Sequence, residues 1–225
     1  MLPMCGRMVA IALKKLAALE GKGRTVRDLV TTYVDRYNLA PTQQAVTIHQ
    51  EGGVWVFSER VWGMAPPWAT RPLINAMAET AAQKPTFRRA FKSGRLLVPA
   101  SGFYEWATLA GRKRPYYIHP AGCLDGSEHW WFAGLGEAQK TPEGPVEAFA
   151  VITTEANRAM AELHHRMPAI LGDEAAEAWL DPATSPADLQ ALLRPCPDGW
   201  IEAHEVGAAV GNARVDRPEL ILPVA

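Results

Sequence analysis

The sequence predicts an α+β fold: a single domain with a mainly antiparallel, barrel-like β-sheet flanked by helices. Three observations carry this. Strand-period segments dominate the middle of the chain, helix-period segments sit at its front and late in it, and no regular βαβ alternation appears. At 225 residues the chain can bury one sizeable core, and no internal repeat, low-complexity block or long linker divides it.

The elements follow in order. Val9 to Glu20 carries apolar residues at helical spacing and stops at Gly21-Lys22-Gly23. Thr25 and Asp28 have capping-box spacing and open a second helix through Val26, Leu29, Val30 and Tyr33. After the turn-like NLAPTQQ the period changes to two, and AVTIHQ and VWVFSE flank Gly52-Gly53 as a hairpin. GFYEWAT and RPYYIHP form a second antiparallel pair across LAGRK. WWFAGL and EAFAVIT form a third, split by a flexible QKTPEGP. A helix is expected from about Glu155 to His165, stopped by Pro168, because the residue before a proline avoids helical geometry. DEAAEAWL and PADLQALL read as short helices.

Composition excludes several classes. The chain is 48% hydrophobic and 21% charged, ordinary for a soluble globular protein. No apolar run approaches the roughly 18 residues of a membrane span. Lys14 and Lys15 interrupt Met8 to Leu19, which makes a poor signal peptide. Cys5, Cys123 and Cys196 are odd in number and scattered, with no C-x-x-C pair. That argues against a disulfide framework and a structural zinc, and for a reducing cytoplasm. The net charge of −1 predicts no polyanion partner by itself. Between Glu59 and Glu105, however, the sole acid is Glu79, against Arg60, Arg71, Lys84, Arg88, Arg89, Lys92 and Arg95. Such a region either binds a polyanion locally or is a solvated basic face.

Several residues can carry chemistry. Strand alternation puts Phe103, Glu105 and Ala107 on one face, with Tyr104 and Trp106 on the other. Glu105 then either faces water, neutralises an arginine, or is a partly buried general acid/base. In LHHRMP, His164 falls near the inward edge of the expected helix, as a core histidine or a catalyst. Arg166 either binds an anion or caps carbonyls. Asn75 follows a proline-rich loop, where asparagines usually serve turns. Trp68 is a core residue or a stacking surface for bases. Cys5 follows a second methionine, Met4. If Cys5 becomes N-terminal, it carries an amine of pKa about 8 and a thiol of about 8.5. An aldehyde condenses with that amine to an imine, and the thiol closes a thiazolidine ring in an intramolecular step. Otherwise Cys5 is a buried or incidental thiol.

In sequence order, MCGR (4–7), YNLAPTQ (37–43), WG with PPW (62–68), NAMAET (75–80), LVPASGFYEW (97–106), FAGL (132–135), ITTEAN (152–157), HHRMPAIL (164–171) and RPELI (217–221) form one constellation. It resembles the SRAP (SOS response associated peptidase) family, whose members sense abasic sites in single-stranded DNA. The resemblance implies a domain over residues 4–222, with Met1, Leu2 and Pro3 as an extension ahead of the mature start. It implies that Cys5 is the nucleophile that links to the ring-opened abasic sugar, with Asn75 orienting it. Glu105 would be the acid/base for imine formation, and His164 would handle protons at the sugar. Arg7, Trp68, Arg88 and Arg166 match positions near the DNA backbone or unstacked bases. No cofactor or metal is implied, and the partner is single-stranded DNA containing abasic sites. A cytoplasmic monomer with no membrane or obligate protein partner is expected. Met77 stands where the family commonly has an arginine, and Leu96 replaces a frequent cysteine. Two other readings compete with this lyase-like, self-processing crosslinking enzyme. One is a cysteine peptidase acting in trans with Cys5 and His164, the other a noncatalytic single-stranded-DNA-binding module.

Overall fold

Residues 5–11, 13, 16, 26–27, 33–125, 128–141 and 144–224 are described by a computed structural model of the protein. Among them, strands run at Met8–Ala10 (β1), Val26–Arg27 (β2), Arg36–Leu39 (β3), Gln44–Glu51 (β4) and Val54–Trp62 (β5). Asn75–Met77 (β6) leads into the helices Ala78–Ala81 (α1) and Arg88–Ser93 (α2). Then come Arg95–Ala100 (β7), Gly102–Leu109 (β8), Arg112–Pro120 (β9), Trp130–Thr141 (β10) and Gly144–Glu155 (β11). Arg158–Ala161 (α3), Arg166–Pro168 (β12), Ile170–Leu171 (β13), Asp173–Leu180 (α4), Pro186–Leu192 (α5) and Ile201–Glu205 (β14) complete the order.

The three expected hairpins become the frame. β4, β5, β11, β10 and β7 close on themselves as a barrel, antiparallel everywhere except at the β5–β11 seam. A second, five-stranded antiparallel sheet runs β14-β9-β8-β1-β3. Gly52 and Gly53 have φ of 56° and 82°, the paired positive values that a two-residue hairpin turn demands.

Both faces of the barrel strands are buried, so the period of two sorts side chains between two cores. On β10, Trp131, Ala133 and Leu135 join one cluster, while Trp130 and Phe132 join another that reaches Phe103 and Ile118 of the second sheet. Leu96 fills the space left by two absent side chains: a Cβ on Gly134 or Gly136 would lie 2.4 or 2.6 Å from its methyls. The leucine at this position is thus a packing choice. Buried Asn38 of the YNLAPTQ stretch donates to the carbonyls of Val210, Asn212 and Val215, and the RPELI stretch buries Leu220 and Ile221. These contacts tie the C-terminal segment to the second sheet.

Several local expectations are corrected. Val9 and Ala10 lie in a strand, paired with β3 and β8, where helical spacing predicted a helix. Met8 and Val9 pack on opposite sides of the sheet, and a short apolar run buried on both faces has no diagnostic period. Val26–Arg27 is likewise a strand, parallel to β5. Gly21 to Gly23, the expected stop of the first helix, and Thr25, Asp28, Leu29 and Val30 of the second lie outside the described residues. β10 and β11 continue through Thr141 and Gly144, which pair directly, so QKTPEGP is mostly strand. The helix expected from Glu155 to His165 shrinks to α3, because Glu155 belongs to β11 and pairs with Arg166. Among the described residues, no helix is long and apolar enough to cross a membrane.

Candidate active site

The long strand β11 acts as a ruler. Along its last residues, Val151 to Thr153 pair in parallel with Asn75 to Met77, and Thr153 to Glu155 pair antiparallel with Pro168 to Arg166. This brings Asn75 and Arg166, far apart in sequence, to the same end of the barrel. α1 begins directly after β6 and carries Glu79 toward Arg166. From the other sheet, β1 pairs with β8 at Met8↔Phe103, and the Tyr104 N–H donates to Arg7 O. The chain ahead of β1 therefore runs beside β8, where the Cys5 N–H donates to Glu105 Oε1 at 2.6 Å.

The alternation expected for β8 holds. Phe103 packs in the same cluster as Cys5 and Val151, whereas Tyr104 and Trp106 pack with Val9 and Tyr117 on the other face. Glu105 shares the Phe103 face and is 5% exposed. Burial raises its pKa above the ordinary carboxylate value, while His164 and the N–H donors of Cys5 and Trp106 draw it partly back. Cys5 is 1% exposed, and burial together with the Glu105 carboxylate pushes its thiol well up, opposed by Arg166. In this state the thiol is protonated and the carboxylate beside it is the nearest base. Cys5 also has a φ of 46°, the left-handed region that a non-glycine residue rarely adopts.

His164 follows the short α3, its backbone N–H donating to Met160 O at 2.8 Å. Its Nδ1 lies 3.1 Å from the Arg166 N and 3.2 Å from the Arg166 O, so the backbone engages that ring edge and Nε2 is the edge available for proton exchange. The Arg166 guanidinium is 8% exposed and forked onto Glu79, at 2.5 and 2.9 Å, with a further bond to Thr153 O at 2.6 Å. That pairing holds the Glu79 carboxylate below its usual range. Arg166 is therefore a fixed positive charge near Cys5. Its Nε is buried without a hydrogen-bond partner.

Cys5, Glu105, His164 and Arg166 thus form one electrostatically connected group, with Asn75 at the adjacent strand end. The remaining positions have other surroundings. Arg7 donates to Val210 O at 3.0 Å and more distantly to Asn38 Oδ1 and Gly211 O, which makes it a tie to the C-terminal segment. Trp68 is 67% exposed, Arg88 is exposed at the start of α2, and Met77 is 41% exposed two residues before Glu79. Residue-by-residue reading missed Glu79, although its isolation in a basic stretch was a usable signal. Asn157, also not singled out, caps α3, its side chain accepting the Met160 N–H. Among the described residues, no three His, Cys, Asp or Glu side chains converge as a metal site.

Comparison with known proteins places the chain. The profile of the family described as SOS response associated peptidase (SRAP) matches residues 4–213. The chain is 41% identical over 197 residues to the abasic site processing protein YoqW of Bacillus subtilis (strain 168), covering 84% of this chain and 86% of that one. It is 30% identical over 194 residues to the abasic site processing protein YedK of Escherichia coli (strain K12), covering 85% and 86%. Among solved structures, a protein from Bacteroides thetaiotaomicron superposes with a TM-score of 0.79 at 26% identity, covering 98% of this chain and 99% of that one. A phage-related protein from Bordetella bronchiseptica superposes with a TM-score of 0.72 at 28% identity, covering 90% and 94%.

Proposed function

We propose that this chain, which belongs to the SOS response associated peptidase family, captures abasic sites in single-stranded DNA as a covalent thiazolidine adduct on Cys5. The observation that carries the reading is the buried 2.6 Å bond between the Cys5 nitrogen and Glu105 Oε1. That bond puts a carboxylate, a group able to take up a proton, on the nitrogen that the reaction uses.

The reaction begins with Cys5 as the N-terminal residue. Its amine adds to the aldehyde of the ring-opened sugar, Glu105 takes the proton released from nitrogen, and loss of water gives the imine. His164 supplies and accepts protons at the sugar oxygens. Cys5 Sγ then adds to the imine carbon, the thiol proton passing to nitrogen, and the five-membered ring closes. Because amine and thiol sit on one residue, closure is intramolecular. The product has no free aldehyde and no imine to drive strand cleavage, so the lesion is shielded. Exposed Trp68 and Arg88 offer the strand a stacking face and a phosphate contact.

The same contact suits self-processing. While Cys5 is still in peptide linkage, its Sγ adds to the Met4 carbonyl carbon. The thiol proton passes by way of Glu105 to the Cys5 nitrogen as the Met4–Cys5 C–N bond breaks, and water hydrolyses the resulting Met4 thioester. The raised carboxyl pKa favours a proton there. Intact-mass measurement after incubation with an abasic oligonucleotide tests the whole reading. The expected species begins at Cys5 and gains the mass of the DNA minus one water; an active species that retains residues 1–4 overturns it.

A further inference from the structure

His164 is held on a short excursion between β11 and β12, closed at its neck by the Ala156 N–H bond to His165 O at 3.1 Å. The helix in it, α3, is four residues long, far below the roughly 12–15 at which an isolated helix is even marginal. Something other than helix propensity fixes it.

Two residues supply that support. Met160 is fully buried in the cluster that holds Cys5. Asn157, 8% exposed, joins three segments. Its Oδ1 accepts the Met160 N–H at 2.9 Å, and its Nδ2 donates to Cys196 O at 3.0 Å. Its backbone N–H points at Met167 Sδ at 3.3 Å, and its carbonyl accepts the Ala161 N–H at 2.9 Å. Met160 in turn accepts the His164 N–H at 2.8 Å. Two hydrogen bonds therefore lead from the Asn157 side chain to the His164 backbone. The Met167 contact adds the strand whose Arg166 backbone engages the His164 ring.

We propose that Asn157 is the positioning residue for His164. It sets the ring against Glu105 and the incoming sugar without touching either, so its loss slows proton handling and leaves DNA affinity intact. The inference rests on the proton-transfer role given to His164 above.

The test compares Asn157→Ala, Asn157→Asp and His164→Ala with the parent chain. The readouts are the single-turnover crosslinking rate across pH and the affinity for an oligonucleotide carrying an unreactive tetrahydrofuran abasic analogue. Asn157→Ala is expected to slow crosslinking roughly tenfold, the rate equivalent of about one capping bond. Its pH profile changes shape, and its analogue affinity stays at the parent value. Asn157→Asp keeps the acceptor for the Met160 N–H and recovers most of the rate. If the alanine variant does not fold, Asn157→Gly takes its place, since glycine is a tolerated cap that lacks the acceptor. A parent-like rate and pH profile in the alanine or glycine variant overturns the inference, as does an aspartate variant equally slow. A parent-like rate in His164→Ala overturns instead the reading on which it rests.

Discussion

Glu105→Gln separates chemistry from architecture at the centre of the site. Glutamine keeps the side-chain shape and an oxygen able to accept the 2.6 Å bond from the Cys5 nitrogen, but it cannot take up the proton. Positioned proton transfer contributes about 10²–10⁴ in rate, and with the acceptor retained the lower end applies. The expected loss is about 10²-fold, or about 2.7 kcal/mol of barrier at about 1.36 kcal/mol per decade. Stability moves the other way. Burial raises the Glu105 pKa in the folded chain. A carboxyl with a raised folded pKa stabilises the fold where it is protonated, and that contribution is lost as pH rises through the folded value. At neutral pH the ionised group is a burden that glutamine lacks. With Cys5 still in peptide linkage, Glu105→Gln should melt no lower than the parent at pH 7, and any gain should shrink as pH falls. The rate assay uses chains begun at Met4, with intact mass showing Cys5 at the N-terminus in both, and follows adduct formation in a single turnover. The parent rate should fall as pH drops through the raised Glu105 value, and the variant should lack that limb. An unchanged variant rate refutes the reasoning, and so does a slow variant that melts well below the parent.

Cys5→Ala should abolish the denaturation-resistant adduct with abasic single-stranded DNA while leaving noncovalent affinity near the parent value. Cys5→Ser should stop at a borohydride-reducible imine, and methoxyamine pretreatment of the DNA should block the parent. Met77→Arg should restore a phosphate contact beside the site and steepen the slope of log affinity against log salt by about 0.7, the single-strand increment per contact. An unchanged slope in salt titrations would show that a neighbouring arginine already fills that role. Gly94→Ala should destabilise the fold by roughly 1–3 kcal/mol in chemical denaturation, because a Cβ there would lie 2.2 Å from Gly136 O.

What the sequence disclosed, and what it withheld, follows from the range of the interactions involved. The hairpin at Gly52-Gly53 and the β8–β9 pair were legible because turn chemistry and alternation act within a few residues. The site residues were legible as types in ordered motifs, with Glu105 already assigned to the Phe103 face. The strands β1, β6 and β12 were not. Each is three residues long, and each exists because a distant strand supplies its partners. The same gap separates naming Arg166 from understanding it. Among arginines of a basic stretch and a helix end, nothing local distinguishes a phosphate ligand from a buried charge. The distinction comes from β11, which sets β6 beside β12 and so puts Glu79 within reach of the Arg166 guanidinium. With its Nη atoms tied to Glu79 and Thr153, Arg166 acts on Cys5 by lowering the cost of a thiolate, opposite in sign to Glu105. Burial and the Glu105 carboxylate together hold the thiol protonated, and the Arg166 guanidinium opposes them from its fixed place on Glu79.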